Sequence, residues 1–330
     1  MSIKNIIVKV ILKRILSSLI VLFLLITMVF VLLRISPGSF TQKFISPGLS
    51  PALAEQVTIS FGLNEPVIIQ YKNFLLNLIT ADFGSSYSFR EPVSKVILRH
   101  LPLTAVIAFL SFIIQISAGL FLASISIKKR KIDLYKYFSS ASIFVFALPS
   151  FVVGVFLLMF FSDLTGLFPS SGIKSFDFDS YNFAGKLLDY FHHLFLPVLT
   201  ISIGGTALFY KYAADNMKEI SEKNFITNLR ANGVGENQII KKHIIPNSIS
   251  PLISVAGIEL GILLGGTLIT EVIFSLPGMG RLTVNAIIQR DYPLVIGCVF
   301  IAGLLIILSN LLADLLKAKI DKRILKEMIN

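Results

Sequence analysis

Residues 221–246 read SEKNFITNLRANGVGENQIIKKHIIP, a polar island of 26 residues between two stretches apolar enough to cross a bilayer. Ser221 is placed to cap a helix whose first turn carries Glu222, where the helix dipole favours an anion. That helix runs through Phe225, Ile226, Leu229 and Arg230 and ends at Gly233, a residue that accepts a left-handed backbone. A second helix opens near Glu236, carries Ile239, Ile240, Ile244 and Ile245, and is stopped by Pro246. Phe225 and Leu229 are four apart and form one apolar ridge. Two readings are open. The pair is an ordinary hairpin packed on its own bundle, or it is presented to a partner, as a short ridge that fits a groove. A DNA-reading helix-turn-helix also has a glycine in its turn, but a recognition helix pinned at both ends by spans does not enter a major groove.

Working outward, the composition places the island in a membrane. The 330 residues are 54% hydrophobic and 15% charged, against roughly 25% charged in a soluble domain. A bilayer core asks for about 20 apolar residues per helix. Six segments qualify: Ile15–Leu33, Leu103–Ile127, Phe138–Phe161, Leu194–Tyr212, Leu252–Phe274 and Leu294–Leu316. The expected fold is therefore an all-α polytopic membrane protein with six transmembrane helices. The first apolar run is 19 residues long and continues into Arg34-Ile35-Ser36-Pro37, which reads as a retained span and not as a signal peptide, whose apolar core is about 7–15 residues. Internal repeats and broken spans are not visible.

The net charge of +11 reports orientation, not nucleic-acid binding, because the basic residues flank the apolar runs. The first 14 residues, the stretch 128–136, the stretch 211–249 and the tail from Lys317 hold 20 of the 30 Lys and Arg. Both termini are expected in the cytoplasm. The long outer segment 35–100 reads as short helices and turns over the outer mouth, with a helical apolar run from Val67 to Leu78.

In the fifth span, Gly257, Gly261 and Gly265 recur every four residues and make a smooth face for close helix packing. Glu259 points about 200° away from Gly257, and Gly266 and Thr270 fall within about 20° of Glu259. A carboxylate in a span is a functional candidate. Glu259 with Gly266 and Thr270 lines a polar translocation path, or Glu259 lies near the inner end and pairs with a Lys or Ser. His192 and His193 are adjacent and diverge on a helix, so they do not chelate together and read as interfacial side chains. Cys298 is the one cysteine and, with Met279, reads as packing; no direct metal or cofactor site is expected. The sequence has no Gly-x-x-x-x-Gly-Lys-Ser/Thr, His-Glu-x-x-His or Gly-x-Ser-x-Gly motif, so the chain is not expected to be catalytic.

Gly233, followed after nine residues by His243-Ile244-Ile245-Pro246, resembles the cytoplasmic coupling motif of inner-membrane permeases of binding-protein-dependent ABC importers. Thr227-Asn228-Leu229 stands where that motif has Glu-Ala-Ala, and His243 replaces its first Ile. Arg230-Ala231-Asn232-Gly233 is similar to the Arg-Ala-Lys-Gly of the dipeptide/oligopeptide/nickel branch. Further matches to that branch are Phe61-Gly62-Leu63-Asn64 with Pro66, Asp82-Phe83-Gly84, Leu101-Pro102 with Thr104, Glu271 with Phe274, Pro277 to Arg281, Arg290-Asp291-Tyr292-Pro293 and Asn310 to Leu315.

The resemblance implies a type I importer permease fold in a bacterial or archaeal inner membrane. It implies one N-terminal helix plus outer segment over 1–100, a five-helix core over 101–316 with coupling helices at 221–246, and a cytoplasmic tail from 317. Its partners would be a second homologous permease, two cytoplasmic ATP-binding subunits that supply ATP and Mg, and an extracytoplasmic solute-binding protein. Phe225, Leu229, Arg230, Ala231, Gly233 and Pro246 would be coupling residues, docking without an acidic triplet. Peptides are the expected cargo, with nickel or a metal chelate as the alternative; a stand-alone secondary transporter is the alternative outside the family.

Overall fold

A computed structural model of the chain describes residues 3–35, 65–127 and 132–320. The Phe61-Gly62-Leu63-Asn64 pattern, the basic residues 128–131 and the tail beyond Ile320 lie outside the described residues. The helices are α1 (Ile3–Ile35), α2 (Val67–Ile79), α3 (Val93–Ser126), α4 (Ile132–Ala147), α5 (Ser150–Leu158), α6 (Phe183–Ser221), α7 (Asn224–Ala231), α8 (Glu236–Ile239), α9 (Ile245–Gly265), α10 (Leu268–Ile273), α11 (Met279–Ile288) and α12 (Tyr292–Ile320). Among the described residues, α1, α3, α6, the run from α8 through α10, and α12 are long and apolar enough to cross a membrane. The bent pair α4 plus α5 counts as one more, third in chain order, for six in all.

That third crossing, expected over Phe138–Phe161, is not one continuous helix: the axis turns by 89° between Ala147 and Ser150. Pro149 has no N–H to donate, and its ring pushes Leu148 out of the helical region. It serves instead as the extended residue before α5, at φ −58° and ψ 132°, with Val152 N–H donating to its carbonyl at 2.9 Å. The fifth crossing is broken too. Helix α9 ends at Gly265, and Gly266 has φ +122°, a conformation that a side chain would resist. Hydropathy does not reveal such breaks, because both halves stay apolar.

Close packing is carried by small residues. A Cβ on Gly119 of α3 would lie 2.7 Å from the Phe209 Cβ and 2.9 Å from the Tyr210 backbone of α6. Gln115 of α3 is fully buried against Gly205 of α6 and donates to the Ile201 carbonyl at 3.2 Å. The glycine face of α9 lies on α12. A Cβ on Gly257 would run into Ala313, and one on Gly261 would sit 2.9 Å from the Ile306 Cα, whereas at Gly265 the nearest atom is the Ala302 Cβ at 3.6 Å.

At the end of the bundle where α9 breaks, the backbone is held by two buried carboxylates. Glu271 of α10 accepts from the Thr104 hydroxyl at 2.9 Å, the Thr267 hydroxyl at 3.3 Å and the Arg281 amide at 2.9 Å. Thr104 in turn accepts from the Met279 amide at 2.8 Å. A Cβ on Gly278 would approach the Glu271 carboxyl carbon to 2.5 Å, so the turn before α11 requires glycine there. Asp291, fully buried, accepts from the Ser86 hydroxyl at 2.6 Å and the Ser88 amide at 2.9 Å. It ties the segment before α3 to the start of α12, whose Leu294 amide it also caps at 3.3 Å. Cys298 and Met279 are packed in the apolar cluster beneath.

Two outcomes follow from this packing. Gly261→Ala forces α9 off α12 and costs about 1–3 kcal/mol as overpacking, while Gly265→Ala is near neutral; thermal unfolding of the detergent-solubilised protein separates them. Glu271→Ala strands the Thr104 hydroxyl and the Arg281 amide in the interior, at about 1–3 kcal/mol per unsatisfied group. It is expected to lower the unfolding temperature more than Glu271→Gln, which keeps one acceptor oxygen.

Candidate functional site

The polar island is a hairpin at the junction of α6 and α9. Helix α6 continues through Ser221, whose hydroxyl donates back to the Lys218 carbonyl at 2.7 Å. Ser221 is thus a last-turn residue and not the expected cap; the residue before α7 is Lys223, which makes no side-chain cap. The helical ladder of α6 claims Ser221 first. Helix α7 closes with a Schellman turn. The Gly233 amide donates to Arg230 O and the Val234 amide to Leu229 O, each at 3.1 Å, with Gly233 at φ +75°.

The apolar ridge is divided by the fold. Phe225 is 41% exposed, while Leu229 packs with Val234 against the cluster that buries Ile226 completely. Ile226 plugs the hairpin between Met217 of α6, Ile239 of α8 and Ile244. Ala231 and Gly233 are exposed at the tip. Arg230 faces inward. Its Nε and Nη2 donate to the two Glu236 oxygens at 3.1 and 2.8 Å, and its Nη1 donates to the Ser221 carbonyl at 3.0 Å. The Glu236 bond pushes the Arg230 guanidinium above its ordinary range, so its charge is permanent. One side chain thereby joins the end of α6, the end of α7 and the start of α8.

Pro246 does not end a helix. The chain stays helical from Glu236 through Gly265 because Ile240–Ile244 form a π-turn. The wider turn takes up one residue and sets Pro246 at the first turn of α9, where a missing N–H is harmless. Behind the hairpin, Asp215 of α6 accepts from the Tyr135 hydroxyl at 2.9 Å and from Lys211 Nζ at 3.2 Å, which also donates to Ser139 at 2.9 Å. These bonds fix α4 to α6 near the island.

Glu259 is half-buried on α9 and has no hydrogen-bond or ion-pair partner among the described residues. It shares the side opposite the glycine face with Ile262, which is 55% exposed. Gly266 and Thr270 do not share that side. The break after Gly265 redirects the chain: Gly266 abuts the Gly280 backbone, and Thr270 is 4% exposed inside α10. The expected polar stripe reduces to Glu259.

Several functional-looking groups gave no decisive signal in sequence. Arg230 and Glu236 are opposite charges on either side of a glycine turn, which is the signal available for their bond. His193 is buried, not interfacial: its Nδ1 contacts the Asp189 carbonyl at 2.9 Å, and Asp189 accepts from the Ser175 amide and hydroxyl at 2.9 and 2.5 Å. His192 remains exposed and bonds Leu167 O at 2.6 Å. Among the described residues, no group of three or more His, Cys, Asp or Glu is placed to hold a metal.

Comparison with known proteins agrees along the chain. The family model for the binding-protein-dependent transport system inner membrane component matches residues 115–326, and the model for the N-terminal part of such components matches residues 7–108. The chain is 32% identical over 318 residues to the oligopeptide transport system permease protein AppB of Bacillus subtilis, covering 95% of this chain and 98% of that protein. It is 29% identical over 320 residues to the nickel import system permease protein NikB of Staphylococcus aureus, covering 96% and 92%. In structure it is similar to a chain of the MetNI methionine ABC transporter in inward-facing conformations, with a TM-score of 0.50, 18% identity, and coverage of 72% of this chain and 98% of that one. A six-crossing helical bundle with a stapled hairpin between its fourth and fifth crossings is thus the fold of an importer permease, and the chain belongs to the family of binding-protein-dependent transport system inner membrane components.

Proposed function

We propose that this permease forms half of a path for di- and oligopeptides, beside a second homologous permease. Two cytoplasmic ATP-binding subunits bind and hydrolyse ATP with Mg, and an extracytoplasmic solute-binding protein delivers the cargo. The permease itself performs no catalysis and holds no cofactor. The observation that carries the coupling role is the hairpin's construction. It is locked to α6 and α8 by Ile226 and Arg230, yet it leaves Phe225 and Ala231 free at its surface. A docking element must transmit displacement without bending, and this one is braced on the two helices that it would move. Arg230 is then a positioning residue, and Phe225 and Ala231 form the contact. Basic flanks support placing the hairpin and both termini in the cytoplasm.

Glu259 supports a path role. A carboxylate inside a span without an internal partner is costly unless it meets water, a partner subunit or cargo. The free side of α9, opposite the face packed on α12, is where a second permease and the path would lie. Nickel or a metal chelate is the second reading, supported by the nickel permease relatives.

The reading is tested in proteoliposomes that hold the assembled importer. Gly233→Pro cannot adopt φ +75° and is expected to abolish uptake of a labelled tripeptide, while Gly233→Asn, which tolerates the left-handed region, retains it. Arg230→Ala and Arg230→Lys both lower uptake about tenfold, because a single ammonium does not replace the fork. Full uptake with Gly233→Pro would remove the coupling role. Glu259→Leu is expected to narrow the accepted range, losing cationic peptides first; normal uptake of all of them would remove the path role. Mass spectrometry of the ligand held by the solute-binding protein separates peptide from metal.

A further inference from the structure

Helix α2 does not lie over the mouth of the bundle. The Tyr71 hydroxyl is 2.6 Å from the Thr27 hydroxyl of α1, and the Phe74 ring stacks on Phe30 at 5.1 Å. The apolar run of α1 continues to Leu33, with Arg34 the next residue. Thr27 and Phe30 are six and three residues short of Leu33, so at 1.5 Å per residue these contacts sit about 5–9 Å below the apolar boundary.

The far end of α2 and the turn after it are near the same level: Leu78 is buried with Leu22 and Ile26 of α1, and Phe83, four residues past Ile79, packs on Phe300 of α12 at 5.3 Å. Helices α1 and α12 run antiparallel, with Arg14 against Asp314 at 3.1 Å and Gly303 facing Leu22 and Leu25. That register puts Phe300 level with residues 25–28 of α1. A 13-residue helix set along the membrane normal would span about 20 Å of depth. One whose start and exit share a depth lies close to the membrane plane.

Its faces fit that position. Tyr71, Phe74 and Leu78 turn to the bundle. Ile68, Leu76 and Ile79 fall within about 80° of one another on the free side, 73%, 52% and 82% exposed. Asn73 and Asn77 make a third, polar side. Lys72, between Ile68 and Leu76 on the free side, has the length to carry its ammonium up to the headgroups. A water-soluble partner does not reach a face that lies below the apolar boundary, and a depth of about 5–10 Å is that of helices resting between headgroups and acyl chains.

We infer that α2 is an interfacial helix whose free apolar face is covered by phospholipid, in the leaflet at the C-terminal end of α1. The test uses the assembled importer in nanodiscs of phosphatidylethanolamine and phosphatidylglycerol, on a Cys298→Ala background. Spin labels on Ile68→Cys and Leu76→Cys are expected to be relaxed more by oxygen than by a water-soluble nickel chelate, and a label on Asn77→Cys the reverse. Preferential relaxation of the Ile68 and Leu76 labels by the chelate, or shielding of both from either agent by a protein partner, overturns the inference. The cysteine-free comparison is a diazirine phospholipid photocrosslinked to the unlabelled protein. Adducts on peptides from 67–79 are expected, and their absence while α1 is labelled overturns it.

Discussion

The carboxylate of Glu271 is the interaction on which the broken end of the bundle depends. A chain that stops and restarts helices inside a membrane leaves backbone groups that no solvent can satisfy. At the start of α11, the restart that follows the Pro277-Gly278 turn, Glu271 and Thr104 collect the amides of Arg281 and Met279. Through Thr104 the same network reaches α3, so the position of α10 and α11 is set by a helix far away in sequence. Asp291 repeats the device for the segment before α3, using Ser86 and Ser88. Neither carboxylate is free for a ligand, which distinguishes both from Glu259.

Helix α6 connects this end to the hairpin. It runs unbroken over 39 residues from Phe183, one turn or two before the Asp189–Ser175 cluster, to Ser221, a length of about 58 Å at 1.5 Å per residue. Its small residues let α3 approach closely, and Asp215 with Lys211 pins α4 to it. Motion imposed on the hairpin through the proposed docking surface would therefore pass into α6 as a rod and into α9 through the π-turn, without a loose joint between.

The sequence made the crossings legible because hydropathy is a local property, and it made Gly257, Gly261 and Gly233 legible because their roles rest on spacing and on φ. Pro246 and Ser221 differ from expectation for one reason: the commonest local role of each is a helix boundary, and a continuing helix on one side overrides it. Gly266 and Thr270 share a face with Glu259 only on an ideal helix extended beyond the residue that ends it. The bend at Pro149 left no trace in hydropathy, since Leu148 and its neighbours remain apolar. Arg230 reads in sequence as a contact residue, but its bonds to Glu236 and Ser221 depend on a tertiary turn that spacing alone does not close.

A division of the chain at 100/101 falls inside α3, which begins at Val93, and the two family models likewise part between residues 108 and 115. Packing explains why no structural seam exists there. The first turns of α3, at Val93, Val96 and Ile97, are buried with α11 and α12, while Gln115 and Gly119 on its later turns are buried against α6. Removing the N-terminal part at that boundary would expose Met279, Leu282 and Leu294 and take away the serines that satisfy Asp291. Among the described residues before 100, the first turns of α3 are thus an integral wall of the core, whereas α1 and α2 pack on its outside through Leu22, Ile26 and Leu78.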